Sequence, residues 1–94
     1  MEQKYFHYCL KMPNGWRYDE YRVFPREESE AKVDRDWRCA VSECAADVYD
    51  IVYADENDIN SIPDLETFIE DALLASYAEE ISEQEYLDGV WDQP

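Results

Sequence analysis

Hydrophobic and polar residues alternate over residues 4 to 12 of the chain. The apolar members of this pattern are Phe6, Tyr8, Leu10 and Met12. A period of two places such side chains on one face of a half-buried β-strand. A second aromatic-rich segment follows at residues 16 to 24. The pattern therefore predicts a β-hairpin over residues 1 to 26.

The segment Pro13–Gly15 between the two strands has the composition of a tight turn. It fits a type I′ turn at its last two residues, or a type I turn at its first two residues with Gly15 in a bulge. Both conformations occur in hairpins, and the composition alone leaves the choice open.

The strand register determines which side chains share a face. We prefer the register that pairs Phe6 with Val23 and Tyr8 with Tyr21, because it gathers apolar side chains on one side of the hairpin. A slip by one residue would move every side chain of one strand to the other face.

After Pro25 the period changes, and apolar residues recur at spacings of three and four. This spacing is typical of an amphipathic helix, which we predict from about Ser29 to about Tyr53. Trp37 lies on the apolar stripe and is expected to be a buried anchor. Residues 48 to 53 are β-branched and aromatic, so a strand there is an alternative.

A polar stretch at residues 55 to 60 predicts a loop before a second helix. Ser61 and Asp64 have the spacing of a capping box, and Pro63 suits a first helical turn because its missing N–H needs no partner there. Apolar residues then recur at helical spacing, so this helix is expected to end at about Ala78.

Ser82 and Glu85 form a second capping box and open a short third helix. Gly89 is expected to end this helix, which would leave Val90 and Trp91 to pack on the core. The predicted fold class is α+β, with one domain over residues 1–94. In it, an N-terminal β-hairpin precedes two to three helices packed on one face, in the order ββααα.

The composition indicates a small globular protein. The chain has 94 residues, of which 46% are hydrophobic and 15% aromatic, so it differs from disordered acidic tails, which lack the apolar surface needed to fold. No segment resembles a signal peptide or a membrane span. The cysteine count, three, is odd. We therefore expect a cytoplasmic protein with reduced thiols.

Charge is distributed very unevenly. The chain has 24 Asp and Glu against 8 Lys and Arg, a formal net charge of -16. Residues 1–47 contain all eight bases and ten acids, whereas residues 48–94 contain fourteen acids and no base. This balance argues against direct binding to nucleic acid or to an anionic membrane. Because solvated surfaces usually mix both signs, the base-free half indicates a field that attracts a basic partner.

Few residues suit catalysis or metal binding. His7 is the single histidine and has no nucleophile at a motif spacing, so we interpret it as packed or solvated. Cys39 and Cys44 lie on different helix faces and form no zinc spacing with Cys9. Residues 55 to 66 have the length of a calcium loop but lack its glycine and one oxygen ligand. We expect no enzyme activity, no cofactor and no metal site.

Carboxylates of the second and third predicted helices are the candidate binding residues. Glu66 and Glu70 are four residues apart, which places their Cβ atoms about 5 to 6 Å from each other, and Glu79 and Glu83 repeat the spacing. Phosphates follow one another at roughly 6 to 7 Å along a DNA strand, so a carboxylate row approximates a phosphate row. The predicted partner-binding residues are Glu66, Glu70, Asp71, Glu79, Glu80, Glu83, Glu85 and Asp88.

A short chain without enzyme motifs, with many aromatics and a base-free acidic second half, resembles the DNA-mimic anti-restriction and anti-CRISPR proteins of phages. The resemblance is compositional and covers mainly residues 47 to 94. It implies an inhibitor in the bacterial host cytoplasm that occupies the basic nucleic-acid channel of a CRISPR effector or restriction nuclease without chemistry. Tyr86 and Trp91 would anchor this contact unless they belong to the core.

The alternative resembles small acidic immunity proteins and antitoxins, which plug the active site of a basic nuclease toxin. Both interpretations require a basic partner and exclude direct binding to nucleic acid. They differ in salt dependence, because a packed contact keeps its affinity when charges are screened. A monomer and a homodimer both fit the sequence.

Overall fold

A computed structural model describes residues 2–55 and 62–92, which form three strands and three helices. In chain order the elements are β1 (Gln3–Lys11), β2 (Arg17–Pro25), α1 (Glu30–Tyr53), α2 (Leu65–Ala75), β3 (Tyr77–Ile81) and α3 (Glu83–Asp92). The strands form an antiparallel sheet in the order β2-β1-β3. The predicted α+β class, with an N-terminal hairpin followed by helices, is confirmed.

The hairpin uses the type I alternative for its turn. The N–H of Gly15 donates to the carbonyl of Met12 at 2.9 Å, and the N–H of Met12 donates to the carbonyl of Trp16 at 2.8 Å. Gly15 has φ of +95°, as a glycine in a bulge after a type I turn requires. A type I′ turn at Asn14 and Gly15 would need an N–H from Pro13 in the ladder, which proline lacks.

This loop shifts the strand register by one residue from the predicted one. The observed pairs are Phe6 with Arg22 and Tyr8 with Glu20, in place of Phe6 with Val23 and Tyr8 with Tyr21. The preferred register was wrong because it belongs to the two-residue turn, whereas a three-residue loop moves each partner by one position. As a result, β2 places charged side chains on the same sheet face as the buried residues of β1.

α1 follows its predicted span closely. It begins after Ser29, whose hydroxyl accepts a hydrogen bond from the N–H of Lys32 at 3.2 Å, and it ends at Tyr53. The strand alternative for residues 48 to 53 is wrong. Val48 is 2% exposed and belongs to the core. Burial of this face of α1 therefore outweighs the preference of β-branched residues for strands.

α2 begins later than predicted. Its first residue is Leu65 and Asp64 occupies the N-cap without a side-chain cap, so Pro63 precedes the helix instead of lying in its first turn. Ser61 of the predicted capping box lies outside the described residues, as do residues 56 to 60 of the predicted loop.

The sequence interpretation missed β3. α2 ends at Ala75 and the chain enters a strand at Tyr77, where a helix to Ala78 was predicted. At the junction, the hydroxyl of Ser76 accepts a hydrogen bond from the N–H of Lys11 at 2.9 Å. Pairing with β1 therefore overrides the local helical period, as tertiary context does for strands.

α3 packs on the opposite face of the sheet from α1 and α2. The ring of Tyr86 lies 5.0 Å from that of Tyr5 and 6.2 Å from that of Tyr21. Gly89 lies inside α3 and does not end it. Because a Cβ at Gly89 would clash with the Tyr21 ring, this glycine allows close contact between helix and sheet. Two helices thus share one face, and the third covers the other.

The start of α3 follows the prediction, whereas its end does not. The hydroxyl of Ser82 accepts from the N–H of Glu85 at 3.1 Å, and the Glu85 carboxylate accepts from the N–H of Ser82 at 3.3 Å. This reciprocal pair confirms the second capping box. Val90 and Trp91 are 42% and 83% exposed, so the prediction that they pack on the core is wrong.

The core lies between the sheet and the pair of helices α1 and α2. Its buried members are Tyr8, Leu10, Met12, Val41, Ala45, Val48, Phe68 and Ala72. The hydroxyl of Tyr8 donates to Asp36 at 2.8 Å, and burial together with this hydrogen bond raises the pKa of Tyr8. Trp37, predicted as a buried anchor, is half-buried and packs at the edge of this core.

Candidate interaction surface

Most basic side chains are paired with nearby acids. The ion pairs are Arg17–Asp19 at 3.2 Å, Arg22–Glu20 at 2.8 Å, Arg22–Asp36 at 3.5 Å, Arg26–Glu2 at 3.1 Å, Lys32–Glu28 at 2.8 Å and Arg38–Asp34 at 2.9 Å. Every acid in these pairs precedes residue 39. Such exposed pairs add little stability, but they locally neutralise charge on β2, on the segment that follows it and on the first turns of α1.

The later acids have no such compensation. Between Glu43 and Asp88, every carboxylate that the structure describes is exposed. No Lys or Arg of the described residues lies within 4 Å of these carboxylates. The negative charge of the second half is therefore presented to solvent on the end of α1, on α2, on β3 and on α3. We call these carboxylates the acidic surface.

On α2 the structure keeps the predicted pair of carboxylates. Phe68 and Ala72 are the buried residues of this helix. Glu66 lies two positions before Phe68 and Glu70 two positions after it, so both are on the side of the helix that faces solvent. Asp71 is exposed but lies about 100° around the helix from Glu70. Glu66 and Glu70 thus form a row, and Asp71 lies on its flank.

Glu79 and Glu80 lie on β3 and not on a helix. Neighbouring residues of a strand point to opposite faces, so Glu79 is directed to the side of α3. Glu80 is directed to the side of α1, where it lines a groove with Lys4 and Trp37. The predicted helical spacing between Glu79 and Glu83 is therefore wrong, because the chain is extended at this point.

Glu83, Glu85 and Asp88 are exposed on α3. Glu83 and Glu85 lie in the first turn, where carboxylates interact favourably with the N-terminal end of the helix dipole. Asp88 accepts a hydrogen bond from the side-chain amide of Gln84 at 3.0 Å. Some of this charge therefore stabilises the helix that carries it and still faces solvent.

A cluster around His7 was not predicted from the sequence. Nε2 of His7 lies 2.7 Å from Oδ1 of Asp19, and Nδ1 lies 3.0 Å from Oε1 of Glu79. The imidazole ring also stacks on Tyr21 with 5.0 Å between centroids. A doubly protonated ring donates to both carboxylates, whereas either neutral tautomer donates to one. His7 thereby connects all three strands, a contact that depends on the unforeseen β3.

The cluster also changes the acidity of Asp19. Burial raises the pKa of Asp19, but hydrogen bonds from His7 and Arg17 and the charges of both groups outweigh it, so the pKa lies below its usual range. The ionised form of Asp19 is therefore favoured in the folded protein. Asp19 and Glu79 are both partly open to solvent, at 37% and 52% side-chain exposure.

Asp19→Asn is expected to lower the free energy of unfolding at pH 7, and the loss is expected to shrink in acid. Because the folded-state pKa lies below the unfolded value of about 3.9, the stabilisation is present above that value and is lost as pH falls through the folded pKa. Urea unfolding of both proteins from pH 7 to pH 3 measures the difference. Glu27→Gln, which also removes an exposed carboxylate, is the control. A difference independent of pH would contradict the prediction.

The thiols and the remaining candidate ligands form no reactive arrangement in the described residues. Cys9 is buried, Cys39 exposed and Cys44 half-buried, and all are free thiols. Burial raises the pKa of Cys44, which reduces its reactive thiolate fraction. Across residues 2–55 and 62–92, no three His, Cys, Asp or Glu side chains are grouped to hold a metal ion. Half of the calcium-like segment, residues 56 to 61, lies outside the described residues.

Within the part of the chain that the structure describes, no helix combines the length and the apolar character needed to cross a bilayer. α1 is the longest of the described helices and contains several charged residues on its exposed side.

No protein-family model, no curated protein and no solved structure matches the chain.

Proposed function

We propose that the protein is a non-enzymatic inhibitor whose acidic surface mimics DNA. Its target is the basic nucleic-acid channel of a bacterial defence complex, either a CRISPR effector or a restriction nuclease, in the cytoplasm of the host cell. One observation supports the proposal most directly. Among the described residues, the exposed carboxylates between Glu43 and Asp88 have no Lys or Arg partner, and Glu79 contacts His7, whereas the acids of the first half are mostly paired with Lys or Arg.

Unpaired like charges destabilise a folded protein by mutual repulsion, which makes their accumulation informative. A surface that served only solubility would tolerate interspersed bases. A surface that competes with DNA for a basic channel gains from every uncompensated carboxylate, because the field raises the rate of encounter and excludes acidic partners.

The dimensions of the protein suit this role. The Cα positions extend over 53 × 29 × 16 Å, so the molecule is long and thin. Since each strand of duplex DNA carries one phosphate about every 3.4 Å along its axis, the long dimension corresponds to about 16 base pairs. The molecule is therefore as long as a DNA segment of that size, and the described carboxylates of α2, β3 and α3 are exposed on it.

Displacement of DNA from purified complexes tests the proposal. A CRISPR surveillance complex and a restriction endonuclease are each loaded with a fluorescent target duplex and titrated with the protein. We expect displacement from at least one of them, with an apparent affinity that falls at least about tenfold between 50 and 200 mM salt. Lysozyme is a basic protein without a DNA channel, so binding of the protein to lysozyme measures non-specific electrostatic attraction.

Failure to displace DNA from either complex at micromolar concentration would overturn the proposal. Tight binding to a basic nuclease toxin that survives high salt would instead favour the immunity-protein alternative, because a packed contact is insensitive to screening.

A further inference from the structure

α3 carries three exposed apolar side chains. Leu87, Val90 and Trp91 are 41%, 42% and 83% exposed. Their spacing of three and four residues places them together on one helix face. We call these three residues the α3 ridge. The sheet is contacted around Tyr86 and Gly89, and Trp91, the most exposed of the three ridge residues, has most of its side chain in solvent.

The surroundings of the α3 ridge are acidic. Glu83 is four residues before Leu87 and therefore lies in line with the ridge, and Asp88 is three residues before Trp91 on its flank. Both carboxylates are exposed, and α3 contains no basic residue. An apolar contact surface with a rim of a single sign selects a partner of the opposite sign.

Charge also disfavours the other simple occupants of the ridge. A second copy of the protein, packed ridge to ridge, would bring two acidic helices together without a compensating base. An anionic membrane surface would repel the same carboxylates.

We propose that the α3 ridge docks against an apolar surface of the partner that is bordered by Lys and Arg, with Trp91 as the central contact. This inference rests on the proposed function, because it describes how the basic target is held after the acidic surface has attracted it. A tryptophan buries about 150 to 250 Å² on packing, and residues of this type dominate interface energies when a polar rim excludes water. Binding therefore combines a salt-sensitive attraction with a salt-insensitive contact.

Two synthetic peptides test the ridge without knowledge of the target. One is an 18-residue helix of Leu and Lys with an apolar face, and the other has the same composition in shuffled order and no such face. Their affinities are measured by isothermal titration calorimetry at 150 mM salt. We expect wild type to prefer the amphipathic peptide at least about tenfold, and Trp91→Ala to remove this preference while binding the shuffled peptide as before.

Trp16→Ala is the matched control, because Trp16 is 40% exposed at the hairpin turn, outside α3. It should keep the preference. Trp91→Ala should also keep the melting temperature of the wild type, since its side chain is mostly in solvent. Equal affinity of wild type for both peptides, no binding to either, or a preference that Trp91→Ala retains would each overturn the inference.

Two further measurements separate the alternatives. A wild-type dimer in sedimentation velocity that Trp91→Ala dissociates would assign the ridge to a second copy and overturn the inference. In the DNA-displacement assay, full activity of Trp91→Ala would reject the ridge but leave the proposed function intact. If the wild type does not displace DNA, the proposed function is rejected. The peptide measurements would then still test whether the α3 ridge is a docking surface.

Discussion

Phe68→Ala is expected to lower the free energy of unfolding by about 3 to 5 kcal/mol. Phe68 is 2% exposed, and its ring lies 5.5 Å from that of Tyr49 and 6.2 Å from that of Tyr53. Truncation removes these contacts and leaves a cavity where α2 packs on α1. Because small domains are stable by only about 5 to 15 kcal/mol in total, the variant should unfold at much lower urea concentration.

Circular dichroism during urea denaturation measures this effect. Leu74→Ala is the matched control, because Leu74 lies in the same helix but is 85% exposed. Its replacement should change stability by less than about 0.5 kcal/mol. Similar losses in the two variants would mean that α2 is rotated about its axis relative to the structure described above.

Glu66→Gln combined with Glu70→Gln is expected to weaken DNA displacement about tenfold at low salt. Both side chains are exposed on the outer face of α2, so the fold should persist, and loss of their mutual repulsion should stabilise the helix slightly. If each carboxylate replaces one phosphate contact, the slope of log affinity against log salt should decrease by up to about 2. Displacement assays at four salt concentrations measure both quantities.

The control variant is Glu27→Gln combined with Glu30→Gln, which removes the same charge from the balanced half of the chain. Both of its residues are exposed, and the variant should retain wild-type affinity. Equal weakening by the two variants would show that net charge matters and position does not. Full activity of the α2 variant would exclude Glu66 and Glu70 from the contact.

The elements that the sequence predicted correctly depend on contacts within a few residues. The hairpin follows from alternation around Pro13–Gly15, α1 from its helical period and the cap at Ser29, and the start of α3 from the pair Ser82 and Glu85. Local hydrogen bonds and side-chain periods are present in the sequence itself, so these elements can be read from it. The separation of bases from acids is likewise a property of the sequence.

Contacts between distant segments account for the features that the sequence did not predict. β3 forms because it pairs with β1, and the link between His7 and Glu79 spans 72 positions. The helical period of residues before Ala78 gave no sign of this pairing, because a five-residue strand has little local signal of its own. The spacing predicted between Glu79 and Glu83 was wrong for the same reason.

For the candidate site, the sequence by itself determined that the second half of the chain is acidic and without bases, and that Glu66 and Glu70 share a helix face. Only the tertiary structure decided that Glu79 and Glu80 point to opposite sides of a sheet, that Phe68 and not Trp37 is central to the core, and that Trp91 is exposed. Composition and spacing follow from the order of residues, whereas burial depends on which distant segments pack together. In α3, for example, the contacts of Tyr86 and Gly89 with the sheet determine which face of the helix is covered.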